Sequence, residues 1–302
     1  MVKVGVYLVG RLRPLFLGAE WTLVFATVGL ATMTVCAILA VLSTDIKELL
    51  AYSTASHLGL MIAGFGFVSH YGAEAGVFHL LNHALFKAAL FLVAGVVAHE
   101  AKTRSLDELG GLARDLPVTA AVTVVAALSM AGVPPFGGFY SKEIFFEAAW
   151  NAAEASGGLA WLYPATAVFA SVFTVLYSLR FVGIFFGGRD RLQEVDLHRP
   201  PVALVVPPAV LAGGVVAVSL VPSVFVDGIL DDAAGVASVA PVEIHAGLPT
   251  ELSGPVVMSA VTLTAGFVAY PFYGRISGGI SAASGALRGV HPSRLYDGFL
   301  RN

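Results

Sequence analysis

The sequence predicts an all-α polytopic membrane protein with about eight transmembrane helices, one of them broken in mid-membrane. Of its 302 residues, 57% are hydrophobic and only 12% are charged, and the mean hydropathy is +0.82. A soluble domain, by comparison, is about 25% charged. Apolar stretches long enough to cross a bilayer recur along the whole chain, separated by short polar or charged segments. This alternation is typical of a multi-pass membrane protein.

The same composition excludes several functions. The net charge is −3 and the chain has no basic run, so nucleic-acid binding is not expected. The single cysteine, Cys36, lies in an apolar stretch and rules out an intrachain disulfide and a cysteine-built metal site. No cysteine cluster or glycine fingerprint is present that would hold a redox group. We therefore expect no cofactor and no metal, and a protein that is not itself an oxidoreductase.

The predicted spans follow one another with short connections, except for one long acidic segment. They cover residues 1–17, 21–42, 49–68, 74–98, 117–150, 158–186, 202–221 and 255–273. The fifth is too long for one straight crossing, and residues 133–138 interrupt it with the sequence VPPFGG. Proline removes a backbone donor and glycine loosens the remaining helix, so we expect this span to break near its middle.

The distribution of basic residues predicts the orientation. The loops near residues 45, 102 and 190 and the C-terminal tail fall on one side and hold most of the loop lysine and arginine. The opposite side has only Arg11 and Arg13. Because basic loops remain cytoplasmic, we expect these loops and the C-terminus in the cytoplasm of a cell (inner) membrane protein. The irregular, acidic segment 222–254 is then extracytoplasmic.

Three ionisable residues lie within the fourth span. His79, His83 and Lys87 are spaced i, i+4, i+8 and share one face of a helix. A charge in the hydrocarbon core costs about 3 kcal/mol, so such a row is expected to face protein or water. Groups that gain and lose protons along one helix suggest a proton path. The alternative is interhelical hydrogen bonding, with Lys87 extending to an interface.

The broken fifth span carries a second group of candidates. Lys142 follows the Pro134-Pro135 break by a few residues, a position where broken helices commonly form ion or substrate sites. Glu143 and Glu147 are the only acids within an apolar helix and far from a clear loop. The alternative is a proline kink with a Lys–Glu pair at the membrane interface. Since Na⁺ prefers oxygen ligands, the lysines and histidines indicate a proton route and not a complete cation site.

Three further residues, Lys3, His57 and Lys47, are weaker candidates. Lys3 could titrate on the same path or could cap the start of the first span. His57 lies about two turns into the third span, where it could be a buried titrating group or a histidine bonded to a neighbouring hydroxyl. Lys47 is in a turn and is expected to be solvated, and Arg180, near a helix end, is expected to extend to the interface.

Three stretches of the chain resemble one known family. They are residues 43–54 (STDIKELLAYST), 79–91 (HLLNHALFKAALF) and 131–143 (AGVPPFGGFYSKE). They are similar to the signatures of the antiporter-like subunits of respiratory complex I, membrane-bound hydrogenases and Mrp-type Na⁺/H⁺ antiporters. The resemblance covers about residues 1–220, and the remainder is similar to the continuation of the large A-type subunit of Mrp antiporters.

The resemblance implies a fold of two inverted five-helix repeats, each with one broken helix. Lys3 corresponds to the central lysine of the family's eighth helix, and His57 lies in the tenth. His79, His83 and Lys87 fall on the eleventh helix, and Lys142 on the lysine of the broken twelfth, by the exit half-channel. The chain thus corresponds to the second repeat, and the first is expected on another polypeptide or in a longer chain.

The resemblance also implies a domain organisation and a function. Residues 1–220 form the antiporter-like module, 221–254 an extracytoplasmic loop, and 255–302 a further helix and cytoplasmic tail. The expected function is that of a proton-translocating subunit of a multisubunit Na⁺/H⁺ antiporter, which makes it part of a secondary transporter and not an enzyme. Its expected partners are the other antiporter subunits, H⁺, Na⁺ and the lipid bilayer. The alternatives are a proton-pumping subunit of complex I or a hydrogenase, and a structural subunit without transport.

Overall fold

A computed structural model describes residues 2–16, 18–187, 200–238, 242–244, 246–249 and 251–286, with the side chains of 283–286 left out. The described residues contain helices and no strand; Asp45 and Ser105 form an isolated β-bridge. The α-helices are α1 (Lys3–Leu12), α2 (Ala19–Trp21), α3 (Thr27–Leu42), α4 (Ile46–Gly66), α5 (His70–Glu100), α6 (Pro117–Ala131), α7 (Gly137–Ser156), α8 (Leu162–Phe186), α9 (Val202–Leu220), α10 (Pro222–Val226), α11 (Ile229–Ser238), α12 (Gly254–Ala269) and α13 (Tyr273–Ala286).

The prediction of a polytopic, all-α membrane protein is confirmed. Within the described ranges, six helical segments are long and apolar enough to cross a membrane. A π-helical turn, Thr22–Ala26, joins α2 to α3 and makes the first of them continuous. The six segments are Ala19–Leu42, Ile46–Gly66, His70–Glu100, Gly158–Phe186, Val202–Leu220 and Gly254–Ala282.

The broken fifth span is also confirmed. Helix α6 ends at Ala131, and Gly132 adopts a left-handed φ of +82°. The Val133 amide donates to the Leu128 carbonyl at 3.0 Å and the Gly132 amide to the Ser129 carbonyl at 3.1 Å, in the manner of a Schellman cap. Helix α7 then begins at Gly137. A Cβ on Gly138 would lie 1.8 Å from the Ser129 carbonyl oxygen, so only glycine fits where the two half-helices meet.

The first predicted span is shorter than expected. Helix α1 has 10 residues and rises only about 15 Å. It passes into a 3₁₀ turn, Arg13–Leu15, where Pro14 removes a backbone donor. We expected Arg13 to be a loop charge, and this is wrong, because the side chain is fully buried. Its guanidinium donates to backbone carbonyls at the end of α4 and in α11, groups that helix ends leave without partners.

Helices α3 and α4 approach each other unusually closely. A Cβ on Gly29 would lie 2.4 Å from the Ala63 nitrogen, and one on Gly59 would lie 2.6 Å from the Gly29 oxygen and the Met33 nitrogen. Small residues therefore let the two backbones touch, as is common between membrane helices. This contact fixes the position of α4, which carries His57.

One end of the helix assembly collects basic side chains. Arg104 pairs with Asp45 at 3.0 Å. Arg180 donates to the carbonyls of Val41 at 3.0 Å and Ser43 at 2.5 Å and to the Tyr273 hydroxyl at 2.5 Å. Arg180 thus binds carbonyls at the end of α3, where a helix leaves its last carbonyls without intrahelical partners, and its extension to the interface stays a prediction. The predicted basic loop near residue 190 and the tail beyond 286 lie outside the described residues.

The opposite end is acidic and more ordered than predicted. We expected segment 222–254 to be irregular, but it forms α10 and α11, with Asp231 and Asp232 in the first turn of α11, where carboxylates stabilise a helix. A cavity of about 1380 Å³ opens at this end. Its lining includes six carboxylates, those of Glu74, Glu143, Glu147, Asp227, Asp231 and Glu243.

Candidate functional site

Helices α4, α5, α7 and α8 enclose a cluster of buried titratable side chains. The predicted candidates His57, His79, His83, Lys87 and Lys142 are each at most 4% exposed. The row on α5 therefore faces the interior of the protein, as predicted. Lys87 does not extend to an interface, because its Nζ donates to the buried Ser53 hydroxyl.

The sequence brings α4 and α5 together along matching faces. Ser53 and His57 are four residues apart on α4, and His79, His83 and Lys87 repeat the same spacing on α5. The connection between the two helices is tight, since a Cβ on Gly72 would lie 2.4 Å from the Phe67 oxygen. The two polar faces consequently meet, with Ser53 beside Lys87 and His57 beside His79.

A continuous hydrogen-bonded chain crosses the cluster from α8 to α7. The Tyr177 hydroxyl lies 3.1 Å from His57 Nε2, and His57 Nδ1 lies 2.9 Å from His79 Nε2. His79 Nδ1 lies 2.9 Å from Ser141 Oγ, which donates to the Gly138 carbonyl at 3.2 Å. Imidazole can accept a proton at one nitrogen while donating from the other, so this arrangement can conduct a proton. The chain ends at the residue that precedes Lys142.

His83 occupies a different position from the other two histidines. Its ring centroid lies 5.4 Å from that of His57 and 6.3 Å from that of His79, and Phe86 packs against all three rings. Both His83 ring nitrogens are buried and have no hydrogen-bond partner among the described residues. The predicted row therefore does not form one continuous hydrogen-bonded chain. His79 belongs to the chain, whereas His83 keeps two nitrogens available for proton exchange.

Lys142 is buried at the break itself. Its Nζ donates to the Ala131 carbonyl at 2.8 Å, at the C-terminal end of α6, where the helix dipole favours a positive charge. The predicted alternative, a Lys–Glu pair, is not what the structure contains. Glu143 accepts a hydrogen bond from Ser259, and Glu147 accepts one from Asn151 at 3.0 Å. Both carboxylates line the acidic cavity instead of the histidine cluster.

The remaining candidates lie at the edge of the cluster or outside it. Lys3 is partly exposed on α1, and its charge is close enough to interact with His79 and His83. Lys47 is exposed in the first turn of α4, away from the buried groups. Pro134 and Pro135 are exposed on the outer surface of the break.

Three residues of the site were missed by the sequence analysis. Ser53 and Ser141 had a detectable signal, since each lies on a helix next to a candidate: Ser53 one turn before His57, and Ser141 directly before Lys142. Tyr177 had none, because one tyrosine in an apolar helix is usually a packing residue. Its hydroxyl reaches His57 only because α8 packs beside α4.

Comparison with known proteins gives a consistent assignment. Residues 1–174 match the family described as NADH:quinone oxidoreductase/Mrp antiporter, transmembrane. The A1 subunit of the Na⁺/H⁺ antiporter of Staphylococcus aureus (strain JH9) is 38% identical over an alignment of 253 residues, which covers 77% of this chain and 32% of that protein. The chain therefore spans about a third of the length of the curated relatives it matches.

Solved structures show the same relationship. The chain resembles part of the Mrp complex from Dietzia sp. DQ12-45-1b with a TM-score of 0.83 and 32% identity, over 100% of this chain and 32% of that one. Respiratory complex I from Thermus thermophilus with bound NADH shares the fold, with a TM-score of 0.61 and 22% identity over 73% of this chain and 44% of that one. The chain is a multi-pass membrane protein that belongs to the NADH:quinone oxidoreductase/Mrp antiporter family and resembles the A-type subunit of Mrp antiporters.

Proposed function

We propose that this chain relays protons within a multisubunit Na⁺/H⁺ antiporter, and that it is part of a secondary transporter and not an enzyme. One observation carries the proposal. A continuous hydrogen-bonded path through His57 and His79 lies inside helices that are long enough to span a membrane, with a buried lysine near each end. Buried ionisable groups at such depth are costly and are typically kept for transport.

The path follows from the order of the groups. Lys87 and His83 lie on one side of the His57–His79 pair, and Ser141 leads from His79 to the residue before Lys142. The rise from His79 to Lys87 along α5 is about 12 Å. A proton would therefore move between Lys87, the histidines and Lys142 in short steps, with Lys3 joining from the side of α1. Lys47 lies apart and has no part in this relay.

Electrostatic repulsion makes the groups act in sequence. His79 and His83 have ring centroids 6.3 Å apart. At an effective dielectric constant of about 20, two positive charges at this distance repel each other by about 2.6 kcal/mol, close to a hundredfold in a proton equilibrium. Each arriving proton thus favours departure of the previous one. This coupling is what a relay requires.

Exchange with the outside is proposed at the break. The Lys142 ammonium is bound to the last carbonyl of α6, and the Pro134-Pro135 surface beside it is exposed. Glu143 and Glu147 line the acidic cavity, where they would attract cations without belonging to the relay. We propose Na⁺ as the ion that is exchanged for protons, because the Staphylococcus aureus relatives are named as subunits of a Na⁺/H⁺ antiporter.

The remaining assignments belong to the same proposal. Residues 1–220 would form the antiporter-like module, 221–254 an extracytoplasmic segment, and 255–302 a further helix and tail. The basic end would face the cytoplasm, following the distribution of lysine and arginine. Further antiporter subunits and lipid would surround the module, in keeping with the assembly named for the Dietzia neighbour.

The test is Na⁺/H⁺ exchange in everted vesicles that contain the full-length subunit with its complete set of partners. The host lacks its own Na⁺/H⁺ antiporters, respiration establishes the pH gradient, and a fluorescent amine reports it. Wild type is compared with Lys142→Gln and Lys87→Gln, and with Lys102→Gln as a matched control, since Lys102 is exposed. We expect Na⁺ to collapse the gradient in wild type and Lys102→Gln, and not in the two buried variants.

Other results would redirect the assignment. If Na⁺ has no effect on the pH gradient in wild type, the assignment as a Na⁺/H⁺ antiporter is wrong. Redox subunits that copurify with the chain would then favour the complex I or hydrogenase alternative. Wild-type exchange in both buried variants would refute the relay. Loss of assembly in these variants, with normal assembly of Lys102→Gln, would favour a structural subunit.

A further inference from the structure

We propose that Tyr177 is a positioning residue that sets the tautomers of His57 and His79 and so orients the hydrogen-bonded chain toward the break. The role of Tyr177 in transport rests on the proposed function, whereas its effect on the two histidine tautomers does not. Tyr177 is fully buried in α8, and among the described residues its hydroxyl is the one hydrogen-bond partner of His57 Nε2. No feature of the sequence assigns it a function.

The direction of the chain follows from counting hydrogens. Ser141 has a single hydroxyl hydrogen, which it donates to the Gly138 carbonyl at 3.2 Å. With that hydrogen on Gly138, the contact with His79 at 2.9 Å is an N–H donated by His79 Nδ1, whereas a Ser141 hydrogen turned to His79 Nδ1 would give up the Gly138 carbonyl. A neutral imidazole carries one N–H, so His79 Nε2 is an acceptor and receives the Nδ1–H of His57 at 2.9 Å.

The same count reaches Tyr177. With its hydrogen on Nδ1, His57 presents Nε2 as an acceptor, and the Tyr177 hydroxyl at 3.1 Å is the donor that satisfies it. All four hydrogen bonds are then made at once, and every donor points from α8 toward α7. Neutral histidine in water prefers the hydrogen on Nε2, so both rings are held in the less common form. In the common form, the Nε2–H of His57 and the hydroxyl hydrogen of Tyr177 would both be donors at the same contact. By donating to His57 Nε2, Tyr177 therefore stabilises the Nδ1–H form.

The opposite direction is also accessible, which gives Tyr177 its importance. The side chains of Ser56 and Thr174 lie near the Tyr177 hydroxyl, and the Ser56 oxygen can accept a hydrogen because it donates its own to the Met33 carbonyl at 2.8 Å. Tyr177 can therefore turn its hydrogen to Ser56 and accept one from His57 Nε2. Reversing the chain in this way costs the Ser141–Gly138 bond. The phenol thus selects between two directions of the same chain.

A residue that only fills space would behave differently from one that orients imidazoles. The Tyr177 ring packs within the core, and the Lys87 Nζ lies 6.0 Å from its centroid. Phenylalanine preserves this ring and removes only the hydroxyl. The substitution Tyr177→Phe therefore separates packing from hydrogen bonding. Tyr163→Phe is a matched control, because Tyr163 lies at the start of the same helix and packs against Phe67.

The experiment is solid-state NMR of the assembled complex in lipid bilayers, with ¹⁵N and ¹³C in the histidine rings. His57→Gln and His79→Gln variants assign the two signals. We expect the Nδ1–H form at both histidines in wild type and in Tyr163→Phe. In Tyr177→Phe we expect a mixture of the two forms at His57 and a several-fold slower Na⁺-driven collapse of the pH gradient, with unchanged assembly.

Two results would overturn the proposal. One is a wild-type His57 or His79 with its hydrogen on Nε2, which needs no variant to observe. The other is Tyr177→Phe with wild-type tautomers. Failure of the proposed function gives a different result. If the complex shows no Na⁺/H⁺ exchange but its Nδ1–H signals still depend on Tyr177, the antiporter function is refuted and the positioning role of Tyr177 stands.

Discussion

Arg13 offers a demanding test of how this fold is held together. The side chain is 0% exposed, and its guanidinium lies within hydrogen-bond distance, 2.5 to 3.1 Å, of five backbone carbonyls, three of which share the two hydrogens of one terminal nitrogen. Four of these carbonyls, between Phe65 and Ser69, lie in the last turn of α4 or just after it, and the fifth is that of Ala237 in α11. One buried arginine thus joins α1, α4 and α11.

The cost of removing it can be estimated bond by bond. Arg13→Met keeps an apolar stem of similar length and removes the donors. The Phe65 carbonyl keeps the Trp21 indole as a donor at 2.9 Å, and the Ser69 carbonyl keeps the Gly72 amide at 3.0 Å. The Phe67 and Ala237 carbonyls lose the buried donor that Arg13 supplies, at about 1–3 kcal/mol each. We expect local destabilisation of about 2–6 kcal/mol.

Hydrogen exchange measured by mass spectrometry on the intact complex tests this value. Destabilisation by about 3 kcal/mol increases exchange through local opening by roughly 150-fold. The increase should be confined to residues 65–69 and 229–238. Arg11→Met is the matched control, since Arg11 is exposed two residues earlier. Unchanged exchange in both segments of Arg13→Met would refute the reasoning, as would an equal effect of Arg11→Met.

Two glycine substitutions test the close backbone contacts, with Gly95→Ala as control, because a Cβ on Gly95 would meet nothing within 4 Å. Gly138→Ala places a Cβ 1.8 Å from the Ser129 oxygen, and we expect a loss of at least about 3 kcal/mol, seen as little assembled complex after detergent extraction. Gly59→Ala forces α3 and α4 apart, and we expect about 1–3 kcal/mol, seen as a lower temperature of thermal aggregation. A wild-type yield of assembled complex in Gly138→Ala, or a wild-type aggregation temperature in Gly59→Ala, would show that the backbones can separate without loss of stability.

The sequence alone determined the class of fold and most of the residues of the proposed relay. Apolar length and composition identify the spans, because a helix in lipid must satisfy its own backbone and cover itself with apolar side chains. The break at residues 133–138 was predictable, since proline and glycine act through local backbone geometry. The row of His79, His83 and Lys87 was predictable from the helical repeat, which depends on one element only.

What required the tertiary structure was every contact between elements. The division of the histidine row depends on the positions of α4 and α7 beside α5. The sequence predicts Arg13 as a loop charge, although the end of one helix and a carbonyl of another surround it. Tyr177, 120 residues from His57 in the chain, is its hydrogen-bond partner. Periodicity within one helix fixes which side chains share a face, whereas only the packing of several helices decides which groups that face meets.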